Sequence, residues 1–111
     1  MNTYEVKWRV RDDRREQFEE AIMSVFVPAV SKQPGFRGYT LARQFADEDI
    51  QAAELFRDLY NFRLNLTFES EELRKRWATT PEHDHAVETA LAIADELVAC
   101  GFLVVAEGIQ P

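Results

Sequence analysis

Two histidines near the end of the chain are the side chains best suited to chemistry. His83 follows Thr80-Pro81, a capping hydroxyl and a proline that together predict the start of a helix, so His83 falls in its first turn. An imidazole changes protonation near neutral pH and can take a proton from a weakly acidic hydroxyl group. The competing interpretation is an exposed first-turn residue that helps to cap the helix. His83 is therefore a candidate general base.

Other catalytic and metal-binding patterns are missing from the sequence. His83 and His85 are two residues apart, so on a helix they point to different faces, and no third histidine joins them. There is no glycine-rich phosphate loop and no Ser-His-Asp arrangement. Cys100 is the single cysteine, which excludes an intramolecular disulfide and favours a reducing compartment. We expect no metal site, a cytoplasmic location, and Cys100 as a small core residue.

The charge and the length of the chain limit its binding partners and its domain organisation. The 111 residues carry a formal net charge of −7, which disfavours nucleic acid and anionic membrane surfaces. Hydrophobic residues make up 46% of the chain, enough for a core, and no apolar run is long enough to span a membrane. The length predicts one domain over residues 1–111.

Four segments have the character of β-strands. Side chains alternate between apolar and polar over Tyr4–Val10 and over Phe62–Phe68, which predicts strands with one buried face. A second strand is predicted over Phe36–Gln44, after the Gln33-Pro34-Gly35 turn. The apolar run Phe102–Ala106 predicts the last strand.

Helical spacing fills the gaps between these strands. A stripe from Phe18 to Val30 predicts the first helix, with Asp12 or Asp13 as its cap and a kink or shift at Pro28, which has no N–H for Ser24.

A short helix capped by Ser70 carries Leu73 and Trp77 one turn apart. The last long helix is predicted to end at Gly101 as a left-handed cap, and its apolar positions are Val87, Ala90, Leu91, Ala94, Leu97 and Val98.

The segment 45–59 is the hardest to assign. Its acidic start, Asp47-Glu48-Asp49, suits a helix N-terminus, and the spacing of Ala52, Leu55, Phe56 and Leu59 is helical. We predict a helix inserted between the second and third strands. The alternative is that both strands extend into a long hairpin.

The order strand, helix, strand, strand, helix, strand predicts a ferredoxin-like α+β fold, an antiparallel sheet with both long helices on one face. The other sheet face is predicted to carry six polar side chains and, from the fourth strand, Leu103 or Val105. Such a face can stay in water or pack against a second copy. Its polar residues are Glu5, Lys7, Arg9, Arg63, Asn65 and Thr67.

Three motifs in this order give a resemblance to a known family. They are Gln33-Pro34-Gly35 before the second strand, the strand end Phe68-Glu69-Ser70, and Trp77 with the segment Thr80 to His83 that follows it. The chain resembles, over about Tyr4 to Val105, the antibiotic biosynthesis monooxygenase family of dimeric α+β barrels. In that family two sheets pack face to face, and each monomer has a pocket between its sheet and its helices.

The resemblance implies a homodimer that contacts itself through the sheet faces and binds a small aromatic or apolar molecule. It implies a cofactor-independent monooxygenase of phenols or hydroquinones, with His83 as base and Trp77, Phe68 and Trp8 shaping the pocket. Trp77 can offer its indole N–H to a ligand oxygen or simply fill space, and Tyr39 can donate a hydrogen bond or pack across strands. A non-catalytic binding or dimerisation module is the alternative.

Two departures from the family affect the haem-degrading members. Those proteins use an asparagine on the first strand and a histidine on the last helix, whereas Asn2 is predicted to precede the first strand here, and His83 and His85 follow Trp77 too closely. We therefore expect no haem and no other cofactor. The segment 45–59 is also longer than the usual connection.

Overall fold

Four antiparallel strands form one sheet in the order β2-β3-β1-β4, in a computed structural model that describes residues 1–110. The strands are β1 (Asn2–Arg9), β2 (Phe36–Arg43), β3 (Phe62–Phe68) and β4 (Glu96–Leu103). The helices are α1 (Arg15–Ala21), α2 (Val27–Ser31), α3 (Asp47–Ala52), α4 (Glu71–Ala78) and α5 (Pro81–Leu91). This arrangement is the predicted ferredoxin-like α+β fold.

The register of the strands assigns each side chain to a sheet face. Tyr4, Val6 and Trp8 of β1 pair with Leu66, Leu64 and Phe62 of β3, and these residues face the helices and the core. Partners directly opposite one another in antiparallel strands share a face. The opposite face, which we call the open face, therefore carries Glu5, Lys7, Arg9, Arg63, Asn65 and Thr67, as the alternation predicted.

The first helical segment changes its winding just before Pro28. α1 passes into a π-helical segment, Ile22–Phe26, and then into α2. Pro28 has no N–H to bond the carbonyl of Ser24, so the backbone shift predicted at Pro28 is confirmed as this extra-wide turn. The predicted aspartate cap is wrong. Asp12 and Asp13 lie inside a short 3₁₀ turn that has no side-chain cap.

The end of the last helix was predicted wrongly. α5 stops at Leu91, and Leu97, Val98 and Gly101 belong to β4. Short apolar runs fit a helix or a strand equally well by spacing, and the eight backbone pairs that β4 makes with β1 decide the outcome. Gly101 is consequently a strand residue opposite Tyr4, not a cap.

Because β4 begins earlier in the sequence than predicted, several other residues lie in different places from those expected. Cys100 lies opposite Glu5 on the open face and is half-buried, so it is not a helix core residue. Val98 and Phe102 join it there, whereas Leu103 faces the helix side and Val105 lies beyond the strand. At the other end, β1 begins at Asn2, earlier than predicted.

The segment between β2 and β3 contains the predicted helix in a shortened form. α3 covers Asp47–Ala52 and buries Ile50, while Leu55, Phe56 and Leu59 lie in an irregular stretch and are exposed. Asn61 then returns the chain to the sheet, because its side chain accepts from Val10 N (2.9 Å) and donates to Val10 O (2.8 Å).

The turn before β2 requires glycine. Gly35 has a φ of 78°, and a Cβ at this position would overlap the side chain of Leu73 on α4. Both the left-handed backbone and the close helix therefore exclude other residues. The Gln33-Pro34-Gly35 motif thus sets the distance between the start of β2 and α4.

Candidate functional site

A cavity of about 190 Å³ lies between the helix side of the sheet and the helices. Sheet residues form its floor, and side chains from the π-helical segment, α4 and α5 form its roof. The lining residues are Tyr4, Val6, Trp8, Phe26, Leu66, Trp77, His83, Val87, Leu97 and Ala99. A mostly apolar wall with few polar groups is typical of sites for small organic molecules.

Three aromatic side chains hold the cavity wall in place. The ring centroids of Trp8 and Phe26 are 6.4 Å apart, and those of Phe26 and Trp77 are 5.9 Å apart, both pairs edge to face. Trp8 and Trp77 are almost fully buried. Edge-to-face packing is the favoured geometry for aromatic pairs, so the wall is rigid without the ligand.

His83 lines the cavity from the first turn of α5, which begins at Pro81. Thr80 Oγ1 accepts a hydrogen bond from His83 N (3.1 Å), and Pro81 occupies the first helical position, so both parts of the predicted cap are confirmed. The imidazole packs edge to face on Trp77 with 5.1 Å between ring centroids. Its Nδ1 lies 3.0 Å from Asp84 Oδ1.

The contact with Asp84 selects a tautomer. When Nδ1 carries the proton and donates it to the Asp84 carboxylate, Nε2 presents a lone pair. Nε2 is then the nitrogen that can accept a proton from a ligand. About a quarter of the His83 side chain is exposed, so the imidazole joins the cavity to solvent.

Trp8, which lines the cavity, contains a buried polar group. Its indole Nε1 is buried and has no hydrogen-bond partner in the structure. Leaving a buried donor unpaired costs about 1–3 kcal/mol, so such groups in native proteins call for an explanation. A ligand oxygen in the cavity that Trp8 lines would satisfy this N–H.

Alternation along the first strand predicted that Trp8 is buried but could not show that its N–H has no partner.

Two predicted site residues lie elsewhere. Phe68 is fully buried against Phe36, with ring centroids 5.5 Å apart, and does not line the cavity. Tyr39 is 41% exposed on the edge strand β2 and borders a different, open surface groove. Phe68 lies at the end of β3, opposite Asn2, and Tyr39 lies on β2, which β3 separates from β1, so neither helps to form this site.

Seven lining residues were absent from the predicted site. Five of them were interpreted only as apolar positions of predicted strands and helices, namely Tyr4, Val6, Phe26, Leu66 and Val87. Leu97 and Ala99 were hidden because the predicted last helix extended over β4. The signal for Leu97 and Ala99 was available, since the run from Leu97 to Cys100 is apolar without interruption and suits a strand.

The open face has a different chemistry. Asp58 accepts from Tyr60 N (2.9 Å) and from Arg63 Nη2 (2.9 Å), and Lys7 Nζ lies 3.8 Å from its carboxylate. The Tyr60 N–H first, and then Arg63, hold the pKa of Asp58 below its ordinary value. Arg63 also lies 4.0 Å from Glu5. These charges on the open face are paired within the monomer.

One phenol on this side is also held in its protonated form. Tyr60 donates its hydroxyl to Glu96 Oε1 (3.0 Å), which raises the pKa of Tyr60, because ionisation would set two negative charges together. Glu96 also lies 3.4 Å from Arg9. These contacts tie the end of the 45–59 segment to β4.

Two findings on the described residues concern metal binding and membrane spanning. Within residues 1–110 no group of three or more His, Cys, Asp or Glu side chains is arranged to hold a metal ion. None of the helices in that part of the chain has the length and apolar character needed to cross a bilayer.

Comparison with solved structures shows which proteins share this fold. SnoaB from Streptomyces nogalater, a cofactor-independent oxygenase, superimposes in a variant form with a TM-score of 0.74 at 16% identity, covering 96% of this chain and 94% of SnoaB. A dimeric ferredoxin-like protein of unknown function from Thermobifida fusca gives 0.68 at 19% identity, covering 93% and 90%. A variant of MhuD, crystallised with two manganese protoporphyrin IX groups per active site, gives 0.70 at 19%, covering 99% and 100%.

Structures of antibiotic biosynthesis monooxygenase-like proteins thus match nearly the whole chain, and the resemblance that the motifs indicated is confirmed for the fold. No family model and no curated protein sequence matches the chain. At identities of 20% or less, these structures say nothing about which residues of this chain act on a ligand.

The cavity does not fit a porphyrin. Its volume of about 190 Å³ is below the roughly 300–1,000 Å³ of pockets for drug-sized ligands, and a porphyrin has four pyrrole rings. Asn2 belongs to β1 after all, but it does not line the cavity. The space suits a molecule with one aromatic ring at its polar end.

Proposed function

We propose that the chain binds a small phenol in this cavity and oxidises it with molecular oxygen, without a cofactor. The observation that carries the proposal is the buried, unpaired N–H of Trp8 in an aromatic cavity that also contains His83. A phenolic oxygen can accept from Trp8 Nε1 and give its proton to His83 Nε2. The ring then lies among Trp77, Phe26 and Val87.

The proton transfer prepares the substrate for oxygen. With its Nδ1–H donated to Asp84, His83 takes the hydroxyl proton at Nε2, and the resulting phenolate is a better electron donor to O₂ than the neutral phenol. Trp8 Nε1–H stabilises the phenolate oxygen, and the apolar wall excludes water from the reacting ring.

The overall reaction balances without another reductant. A phenol with a free para position and one O₂ give a para-quinone and one water, because one oxygen atom replaces the para hydrogen as a carbonyl. The second oxygen atom leaves as water with the two displaced hydrogens. The fold shared with SnoaB, an oxygenase that needs no cofactor, supports this class of reaction.

We also propose that the protein is a homodimer in which two open faces pack together. Phe102 is 54% exposed and Val98 is 37% exposed on this face, and the buried Asn65 Oδ1 there has no donor. The dimeric ferredoxin-like protein from Thermobifida fusca supports this assembly. Apolar side chains of one copy would cover those of the other, around a centre of paired charges.

Oxygen uptake tests the reaction, with His85 as the matched control for His83. Uptake with para-unsubstituted phenols is expected to fall about 10²–10⁴-fold in His83→Ala, the usual loss for a general base, and to stay unchanged in His85→Ala, because His85 is exposed and does not line the cavity. Equal uptake by both variants would remove His83 from the mechanism.

Binding measured beside uptake separates an enzyme from a binding module. Calorimetric titration with the same phenols is expected to show binding that Trp8→Phe weakens about tenfold, since the ring stays and one hydrogen bond is lost. Binding without uptake by the unmodified protein would favour the non-catalytic module. No binding would overturn the site.

Native mass spectrometry tests the assembly. We expect a species of about 25.8 kDa, twice the 12.9 kDa chain, that dissociates in Phe102→Lys. The control is Val105→Lys, because Val105 is 91% exposed and lies beyond β4. A monomer from the unmodified chain would mean that the open face stays in water.

A further inference from the structure

A second space adjoins the cavity. It is a groove of about 300 Å³ beside α4, and its lining includes Tyr4, Glu71, Arg74, Gly101 and Leu103. Tyr4 lines both the cavity and the groove, so its ring is the wall that the two spaces share. The groove opens to solvent, because Gly101 and Leu103 are exposed.

The same two elements bound both spaces. On β4, Ala99 lines the cavity and Gly101 lines the groove, and residues two apart on a strand face the same side. On α4, Trp77 roofs the cavity and Arg74 roofs the groove, and residues three apart share a helix face. The floor and the roof therefore continue past Tyr4.

Tyr4 is held in place as a wall. The guanidinium of Arg74 lies over its ring, with Cζ 4.7 Å from the ring centroid. Arg74 Nε in turn donates to both carboxylate oxygens of Glu71, at 3.1 and 3.0 Å. Arg74 thus covers the Tyr4 ring from above, so a route between the two spaces would run beside the ring, over β4.

The residue opposite Tyr4 is glycine, so no side chain projects from β4 at this point. Tyr4 pairs with Gly101, so a side chain at 101 would point to the helix face, and a Cβ built there meets no atom within 4 Å. The backbone of Gly101 lies outside the left-handed region, so a larger residue is sterically possible there. Gly101 therefore leaves open space opposite Tyr4.

We propose that Tyr4 and Gly101 determine the length of the molecule that the site accepts. Beside the small phenols that would react, the site would bind a phenol with a long apolar tail in the para direction, its oxygen at Trp8 and His83 and its tail in a passage over Gly101 toward Leu103. Trp8 and Tyr4 are four residues apart on β1, or about 13 Å, so a bare phenol ends before Tyr4. This inference rests on the binding site proposed above, though not on its chemistry, since a para tail is compatible with binding but blocks quinone formation.

The test uses phenol, 4-propylphenol and 4-hexylphenol, with affinities measured by calorimetric titration. In the unmodified protein each methylene buried in the passage is expected to raise affinity about fourfold. Gly101→Leu is expected to leave phenol affinity unchanged and to lower that of 4-hexylphenol at least tenfold. Gly108→Leu is the matched control, because Gly108 also has open space around it but lies beyond β4.

Unchanged phenol affinity shows that the variant is folded. If Gly101→Leu does not fold, Gly101→Ala gives a smaller loss in the same direction, since its Cβ meets no neighbour. An equal loss for all three phenols, or no loss for 4-hexylphenol, would overturn the role of Gly101. Length-dependent binding without oxygen uptake from phenol would instead overturn the proposed reaction alone, and no binding of any phenol would overturn both.

Discussion

The two faces of strand β1 differ in burial and in whether their polar groups have partners. Val6 and Trp8 are nearly inaccessible and point to the helices, whereas Lys7 and Arg9, their neighbours in sequence, lie on the open face. On the helix side one donor, Trp8 Nε1, is buried without a partner. On the open face the charged groups of β1 lie near opposite charges.

The difference shows on which face of β1 a bound oxygen atom would contribute more free energy. A buried unpaired donor costs about 1–3 kcal/mol, while an exposed ion pair contributes about 0–1 kcal/mol. A ligand oxygen at Trp8 would therefore recover more free energy than any new contact to the paired charges. The unpaired donor therefore distinguishes the helix side from the open face, where the charged groups of β1 already have partners.

The largest expected effect separates neighbours on strand β3. Leu66 is fully buried and lines the cavity, so Leu66→Ala should lower the free energy of unfolding by about 2–5 kcal/mol. Asn65→Ala, on the open face, should change it by less than about 0.5 kcal/mol, because the lost carbonyl has no donor. Urea unfolding measures both. A loss for Asn65→Ala as large as that for Leu66→Ala would contradict the division between the faces.

A smaller effect is expected at the start of α5. Thr80→Ala removes the cap on His83 N and should cost about 0.5–2 kcal/mol, together with weaker phenol binding as the imidazole loses its position. Thr79→Ala is the control, because Thr79 only donates to Arg76 O on the surface. Thermal unfolding and calorimetric titration give the two quantities. Equal losses in the two variants would mean that the cap does not position His83.

The smallest effect concerns acid stability on the open face. The pKa of folded Asp58 lies below its ordinary value of 3.8, so its ionised form stabilises the fold above that pH, and this contribution is lost as the pH falls through the folded pKa. Asp58→Asn should therefore lose less stability than the unmodified chain below about pH 4.

Urea unfolding at pH 7, 4 and 3 checks this prediction. The comparison variant is Glu54→Gln, an exposed residue outside the Asp58 contacts, which should keep the pH dependence of the unmodified chain. Parallel curves for Asp58→Asn and the unmodified chain would show that the hydrogen bond from Tyr60 N–H and the pairing with Arg63 do not stabilise the fold.

The sequence by itself determined the architecture. Alternation over β1 and β3, the caps at Ser70 and Thr80, and the turn at Gly35 are local signals, and each is confirmed. They depend on backbone geometry and on which side chains avoid water, both of which can be read within a few residues. The motif order then indicated the fold that the solved structures confirm.

Tertiary structure decided what local signals leave open. The run from Leu97 to Gly101 is a strand because β1 pairs with it, and that pairing places Gly101 opposite Tyr4. The same packing leaves Trp8 Nε1 without a partner in a residue that lines the same cavity as His83, while Tyr39 and Phe68 lie away from that cavity. Spacing predicts which side of a strand a residue faces. Whether a buried donor lacks a partner, or a glycine leaves open space, depends on residues that are distant in sequence and come together in the fold.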